Sequence, residues 1–303
     1  YFMKSVALLD GGLGQEIYRR AMNVTSLLWS VAVMREQPEV VTDVHADFIR
    51  AGARTLTLNT YAATPTRLAR EGLGDEIGAI HQRAFEVLER AIALTGAEVD
   101  IAGCLPPLVG SYREQPARTF EDLKSEFDVL VKLQGGADVF LIETMTNSLE
   151  ASAACAAASE SGKPFGVAFR LEADRKLRSG ETLAEAVEAV KASGPTAIML
   201  NCCDPEVISL AMPELAGLFP CTGGYANAFK TVEPMAGGAL VDELEARPDV
   251  SPGLYALQVK QWLEDGAAVV GGCCEITPEH ISHLADVLTD EYRLIKFSEL
   301  ARR

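Results

Sequence analysis

The chain has 303 residues, 48% of them hydrophobic, which is enough for one large domain or two ordinary ones and far beyond a small disulfide-dependent scaffold. A formal net charge of -16 excludes a protein that works by neutralising phosphate backbones, since that needs clustered Lys and Arg; no nucleic-acid partner is expected, and a small-molecule one is. No apolar run approaches a membrane span and no charged, apolar, small-residue leader opens the chain, so a cytoplasmic protein without a membrane partner is expected.

Tyr1 and Phe2 precede Met3 and are set aside, leaving 3–303 as one expected domain. Short, nearly continuous apolar runs then recur: VALL at 6–9, TLTL at 55–58, VDIAG at 99–103, VFLIE at 139–143, FGVAF at 165–169, TAIML at 196–200, a weaker FPCTGG at 219–224 and AAVVGG at 267–272. Such runs suit strands buried on both faces. Helical patterns alternate with them, near 39–51, 76–94, 120–134, 147–161, 182–193, 205–216, 252–264 and 278–288. Eight βα units in about 300 residues predict a (β/α)8 TIM barrel. A dinucleotide fold fits less well, because GGLGQE after the first strand lacks the G-x-G-x-x-G spacing. The longest interruption, Ala228 to Asp249, reads as a βα loop on the working face.

Barrel active sites form where strands end. Here the unusual residues fall at those ends: Asp10, Gly11 and Gly12 after the first strand, Thr57, Asn59 and Tyr61 after the second, and Cys104 after the third. Glu143 ends the fourth, Asn201, Cys202 and Cys203 the sixth, Tyr225 and Asn227 the seventh, and Cys273 and Cys274 the eighth. Soft thiols from strands six and eight could meet over the mouth and favour zinc, with a fourth position free for substrate. By themselves these residues leave ligation and packing equally open, because free cysteine is often a buried hydrophobe. Cys104, Cys155 and Cys221 are read as core. Thr277 and Pro278 open a helix whose positive end would favour thiolates nearby. Glu143 is read as a partner for a substrate ammonium or for a loop arginine, and Asp10 as a substrate contact or a turn former. Trp29 reads as core or as a ligand wall. His45, His81, His280 and His283 lie on predicted helices, where solvated or helix-terminal roles are expected.

LLDGGLGQE, LWS at 28–30, NTYAATPTRL at 59–68, LIET at 141–144, LNCCDPE at 200–206 and VVGGCCEITPEHI at 269–281 together resemble the homocysteine S-methyltransferases, in the same order along almost the whole chain. The resemblance implies a zinc-dependent TIM barrel enzyme of methionine biosynthesis that transfers a methyl group to homocysteine. It implies Cys202, Cys273 and Cys274 as zinc ligands, Glu143 as the partner of the homocysteine amino group, and Asp10, Gly11, Gly12 and Thr57 as the amino-acid pocket. Cys203 receives no role. Betaine users of the family carry an aromatic residue where this chain has Thr144, betaine-type enzymes carry a long C-terminal extension, and no cobalamin-binding module is seen. A sulfonium donor is therefore expected, S-methylmethionine before S-adenosylmethionine, with Trp29, Tyr61 and Tyr225 as cation–π walls for a small onium group. Betaine as donor, a zinc hydrolase and a structural zinc protein on the same barrel are the alternatives. The oligomeric state is left open, with a homo-oligomer allowed.

Overall fold

The computed structural model describes residues 3–22, 24, 26–110, 117–232 and 244–302. Nine parallel strands form one sheet: β1 (Lys4–Leu8), β2 (Thr55–Thr57), β3 (Asp100–Leu105), β4 (Val139–Met145), β5 (Phe165–Phe169), β6 (Ala197–Asn201), β7 (Thr222–Tyr225), β8 (Ala267–Val270) and β9 (Tyr292–Ile295). The eight expected strands are all present, in the order β2 through β8 and then β1. Closure comes from the upper end of β1, where Arg54 N–H donates to the Leu8 carbonyl at 2.8 Å and Asp10 N–H to the Thr55 carbonyl at 3.1 Å. All eight expected helices form, each within two residues of its predicted bounds. This is the α/β barrel architecture that the alternation of runs predicts.

β9 is an addition. It pairs with the lower half of β1, from Lys4 against Tyr292 to Ala7 against Ile295, and so wedges open the β1–β2 seam at the N-terminal end of the barrel. The turn after it plugs that end. Phe297 is fully buried inside the barrel, its N–H donates to Thr55 Oγ1 at 2.9 Å, and Ser298 N–H donates to Asp100 Oδ2 at 2.8 Å. Burying a side chain of that size contributes about 2 kcal/mol.

Strand alternation sorts the core into two parts. Ala7, Leu9, Ala102, Leu141, Ala168, Met199 and Val269 fill the barrel interior, while Val6, Leu8, Phe140, Ile142, Ile198 and Val270 face the helices. The same period carries each strand's last inward residue to the mouth: Cys104 follows Ala102, Glu143 follows Leu141, and Asn201 follows Met199.

The histidines depart from expectation. His45 and His81 are fully or almost fully buried rather than solvated, whereas His280 does serve a helix start, its Nδ1 accepting from Thr277 N–H at 3.2 Å. Neither ring nitrogen of His45 has a hydrogen-bond partner among the described residues, and burial pushes its pKa down to about 3. An unfolded chain takes up this proton near pH 6.5 and the folded one does not, so acidification from about pH 6.5 toward 3 favours unfolding. Against the wild type, His45→Leu should therefore gain stability as pH falls, by at most about 1.4 kcal/mol per pH unit. Urea melts at pH 7 and pH 5 would show it; a gap between the two proteins that does not widen at pH 5 refutes it.

Candidate active site at the C-terminal mouth of the barrel

The mouth is built by short, locked turns. After β1, Asp10 is buried, its Oδ2 accepting Thr57 N–H at 2.9 Å and its Oδ1 accepting Thr57 Oγ1 at 3.2 Å. Burial, and then the nearby charge of Glu143, push its pKa up to about 8, although the Thr57 bonds oppose the shift. Gly11 and Gly12 allow this turn to lie against the loop after β8. A Cβ on Gly12 would sit 2.6 Å from the Cys273 carbonyl oxygen, and Gly12 N–H donates to the Ile276 carbonyl at 2.8 Å.

Cys202, Cys273 and Cys274 offer sulfurs that all lie within 4.8 Å of one another. Their backbone is held from both sides. Cys202 N–H donates to the Tyr225 carbonyl at 3.1 Å and its carbonyl accepts Asn227 Nδ2 at 2.8 Å, while Cys273 N–H donates to the Ala226 carbonyl at 2.8 Å. Tyr255 staples the two strand ends that flank them, its hydroxyl donating to the Gly271 carbonyl at 2.7 Å and accepting Ala226 N–H at 3.1 Å. Glu275, next to Cys274, accepts Arg19 Nη2 at 2.7 Å and ties the loop to helix Leu13–Arg20. Hydrogen bonding with Cys202, with burial adding to it, holds the Cys273 and Cys274 thiols protonated; the bond between the two raises Cys273 further and offsets part of the shift at Cys274. Three soft donors brought this close, from two strand ends, fit a tetrahedral ion with bonds of about 2.3 Å and one position left over. Cys203 turns away, buried against the helix-side core, as alternation requires.

Backbone strain gathers here. Thr144, Cys202 and Glu275 have positive φ (61°, 54° and 65°), a conformation unfavourable for residues with a Cβ. For Thr144 the cost is offset by a buried amide: Thr144 N–H donates to Asn201 Oδ1 at 2.8 Å and Asn201 Nδ2 donates to Thr144 Oγ1 at 3.0 Å.

Glu143 points into the cavity, and burial pushes its pKa up to about 7, with Cys202 adding a little. Among the described residues no lysine or arginine pairs with it. The Cys104 thiol donates to its Oε2 at 3.2 Å. Cys104 is thus part of the cavity wall, contrary to the expectation that it is only core, whereas Cys155 is buried within helix Ser148–Glu160 as expected. Trp29 and Tyr61 line the same cavity, with Trp29 strained at φ 52° and Tyr61 under the Arg67 guanidinium at 5.3 Å. Tyr225 sits deeper than a rim wall would, 2% exposed and beside Glu143. Of the 228–249 interruption, residues 233–243 lie outside the described residues. Its described parts form a bridge between Phe229 and Ala246, and Phe229 and Val232 pack with Cys202 against Trp29, Cys273 and Cys274.

Asn201, Asn227, Tyr255 and Cys104 are the supporting residues that sequence reasoning left without roles. Strand parity could have found Cys104 and Asn201, because each stands two places beyond an interior residue. Nothing local marks Tyr255, which lies 29 positions from the amide it receives.

A parallel barrel whose C-terminal mouth joins a three-thiol cluster to a buried carboxylate is a barrel enzyme with a centre able to hold a soft metal ion. Comparison with known proteins narrows the class: the family described as homocysteine S-methyltransferase matches residues 7–288, and the chain belongs to it. The homocysteine S-methyltransferase of Escherichia coli is 28% identical over 308 residues, covering 93% of this chain and 94% of the relative. A selenocysteine methyltransferase of Astragalus bisulcatus is 26% identical, covering 93% and 92%. Among solved structures, the homocysteine methyltransferase MmuM of Escherichia coli superposes in its metallated form with a TM-score of 0.77 at 25% identity, covering 94% of this chain and 96% of that one. The chain is a methyltransferase. Among the described residues no helix is long and apolar enough to cross a membrane.

Proposed function

We propose that this protein is a zinc-dependent homocysteine S-methyltransferase that takes its methyl group from a sulfonium donor, S-methylmethionine first and S-adenosylmethionine second. The observation that carries the reading is the convergence of Cys202, Cys273 and Cys274 sulfurs within 4.8 Å of one another, in one cavity with a buried acidic residue, Glu143, that pairs with no lysine or arginine among the described residues. Three thiolates fit zinc, which when bound supplies the charge that keeps a substrate thiol deprotonated at neutral pH.

The chain's own residues do the rest. Glu143 accepts the homocysteine ammonium, which removes the cost of burying that carboxylate alone. Asp10, held by Thr57, and the Gly11–Gly12 turn shape the amino-acid pocket. Trp29 and Tyr61 offer ring faces to the donor's onium centre, whose charge is quenched as its methyl passes to sulfur and a neutral thioether leaves. Phe229 and Val232 shield the thiols from water, which favours a charge-quenching transfer. Thr144 stands directly after Glu143, where betaine users of the family carry an aromatic residue.

Methionine formation by the reduced, zinc-loaded protein, with homocysteine and each of S-methylmethionine, S-adenosylmethionine and betaine, tests the reading. Turnover with a sulfonium and none with betaine is expected; turnover with betaine alone overturns the donor assignment, and none with any donor overturns the function. Cobalt substitution adds a second arm: the thiolate-to-metal bands should shift when homocysteine binds. Glu143→Ala should keep its metal and raise the KM for homocysteine by roughly 10- to 100-fold, the worth of a hydrogen bond to a charged group. Metal loss in that variant would mean that the carboxylate holds the centre together instead.

A further inference from the structure

Cys104 has no part in the reaction just described, yet β3 delivers it to the same mouth. Its backbone is pinned on both sides by one buried amide: Cys104 N–H donates to Gln134 Oε1 at 2.8 Å, and Gln134 Nε2 donates to the Cys104 carbonyl at 2.9 Å. That amide is itself fixed, because its Oε1 also accepts Thr60 Oγ1 at 3.0 Å. The side chain therefore has little freedom, and its single S–H is directed at Glu143 Oε2, 3.2 Å away. Burial and the facing carboxylate keep this thiol protonated, so it serves as a donor and not as a nucleophile.

A second observation points to a ligand at the same place. The Tyr225 hydroxyl is buried and, among the described residues, makes only a loose hydrogen bond, to Glu143, which lowers the acidity of the phenol and raises that of the carboxyl. A buried hydroxyl that donates to a carboxylate still has its oxygen lone pairs unfilled, so in a cavity wall it is suited to an incoming N–H donor. We infer that Cys104 is a positioning residue: its thiol ties down one oxygen of Glu143, so that the other oxygen and the Tyr225 hydroxyl together receive the ammonium of an α-amino thiol. This rests on the acceptor reading above and deepens it, by making the cavity selective for an acceptor that carries an amino group next to its carboxylate.

The test uses the full chain, zinc-loaded, with binding followed by the fluorescence of Trp29, which lines the cavity. The probes are L-methionine and its deaminated counterpart, 4-(methylthio)butanoate. Cys104→Ala should weaken L-methionine about tenfold, leave the deaminated probe unchanged, and raise the KM for homocysteine with little change in kcat. Cys104→Ser, which keeps a donor, should return L-methionine binding to within about threefold of the wild type. In a Glu143→Gln background, Cys104→Ala should have almost no further effect, since the two act on one contact. Equal losses for both probes, failure of serine to rescue, or full additivity with Glu143→Gln would overturn the inference, leaving Cys104 a packing residue. Wild-type protein that binds neither probe and methylates no homocysteine would instead overturn the acceptor reading, and the role of Cys104 with it.

Discussion

Cys273→Ser protein is expected to fold normally, to lose its metal and to form no methionine, a loss of roughly a thousandfold or more. The fold survives because what Cys273 gives the barrel is backbone: its N–H bond to the Ala226 carbonyl and its carbonyl bond from Ile276 N–H are available to serine as well. The metal is lost because one of three soft donors becomes a hydroxyl, a hard and poorly acidic ligand. Metal content after dialysis, thermal unfolding and turnover, measured together, decide it. Cys203→Ala is the matched control: that thiol lies beside Cys202 in sequence but is buried in the helix-side core, so its loss should lower stability by about 1 kcal/mol and spare the metal. Retention of a full metal complement by Cys273→Ser, or its loss from Cys203→Ala, would reverse the ligand assignment.

Gly11→Ala should be the most damaging substitution that touches no reacting group. Its Cβ would lie 2.3 Å from the Ile276 carbonyl oxygen and 2.7 Å from the Phe48 ring. Neither can retreat easily, since Ile276 is backbone hydrogen-bonded to Gly12 and Phe48 is fully buried. The turn after β1 must therefore move off the loop that carries Cys273 and Cys274. Overpacking of this kind costs about 1–3 kcal/mol, a drop of a few degrees in Tm for a chain of this size. Activity should fall further than stability, by roughly a hundredfold, because a misplacement of about 1 Å at a preorganised site is enough. Gly78→Ala makes the comparison fair: it stands in the first turn of helix Ile77–Thr95 with nothing within 4 Å of an added Cβ, so it should leave activity intact and stabilise by at most about 1 kcal/mol. If Gly11→Ala matches Gly78→Ala in both Tm and turnover, the two loops are not locked as described.

Both expectations join features that were legible in the chain to features that were not. Eight strands could be read because a parallel barrel strand is buried on both faces and appears as an unbroken apolar run. β9 escaped, since YRLI is half-exposed, pairs with one strand only, and is no more apolar than a helix end. The three cysteines stood out for their chemistry and their position at strand ends. Cys104 stands at a strand end too but reads as core, because a lone cysteine is usually a small buried hydrophobe and nothing local shows the carboxylate it meets. For His45 a solvated or helix-terminal place is the expectation, because a histidine on an amphipathic helix gives no sign of which face it takes, and the packing of helix Pro38–Arg50 puts it inside.

Residue chemistry and period were thus sufficient, by themselves, to determine the barrel, the end of it where the unusual residues collect, and the candidate thiols there, because burial pattern and donor softness are properties of each residue and its near neighbours. Tertiary structure alone decided what holds those residues still: the Asn201 amide on strained Thr144, the Tyr255 staple between β7 and β8, the Gln134 clamp on Cys104 and the glycine turn under Cys273. Those contacts join residues 16 to 264 positions apart by distances that have to be right to a few tenths of an ångström, and no local period encodes a distance of that kind.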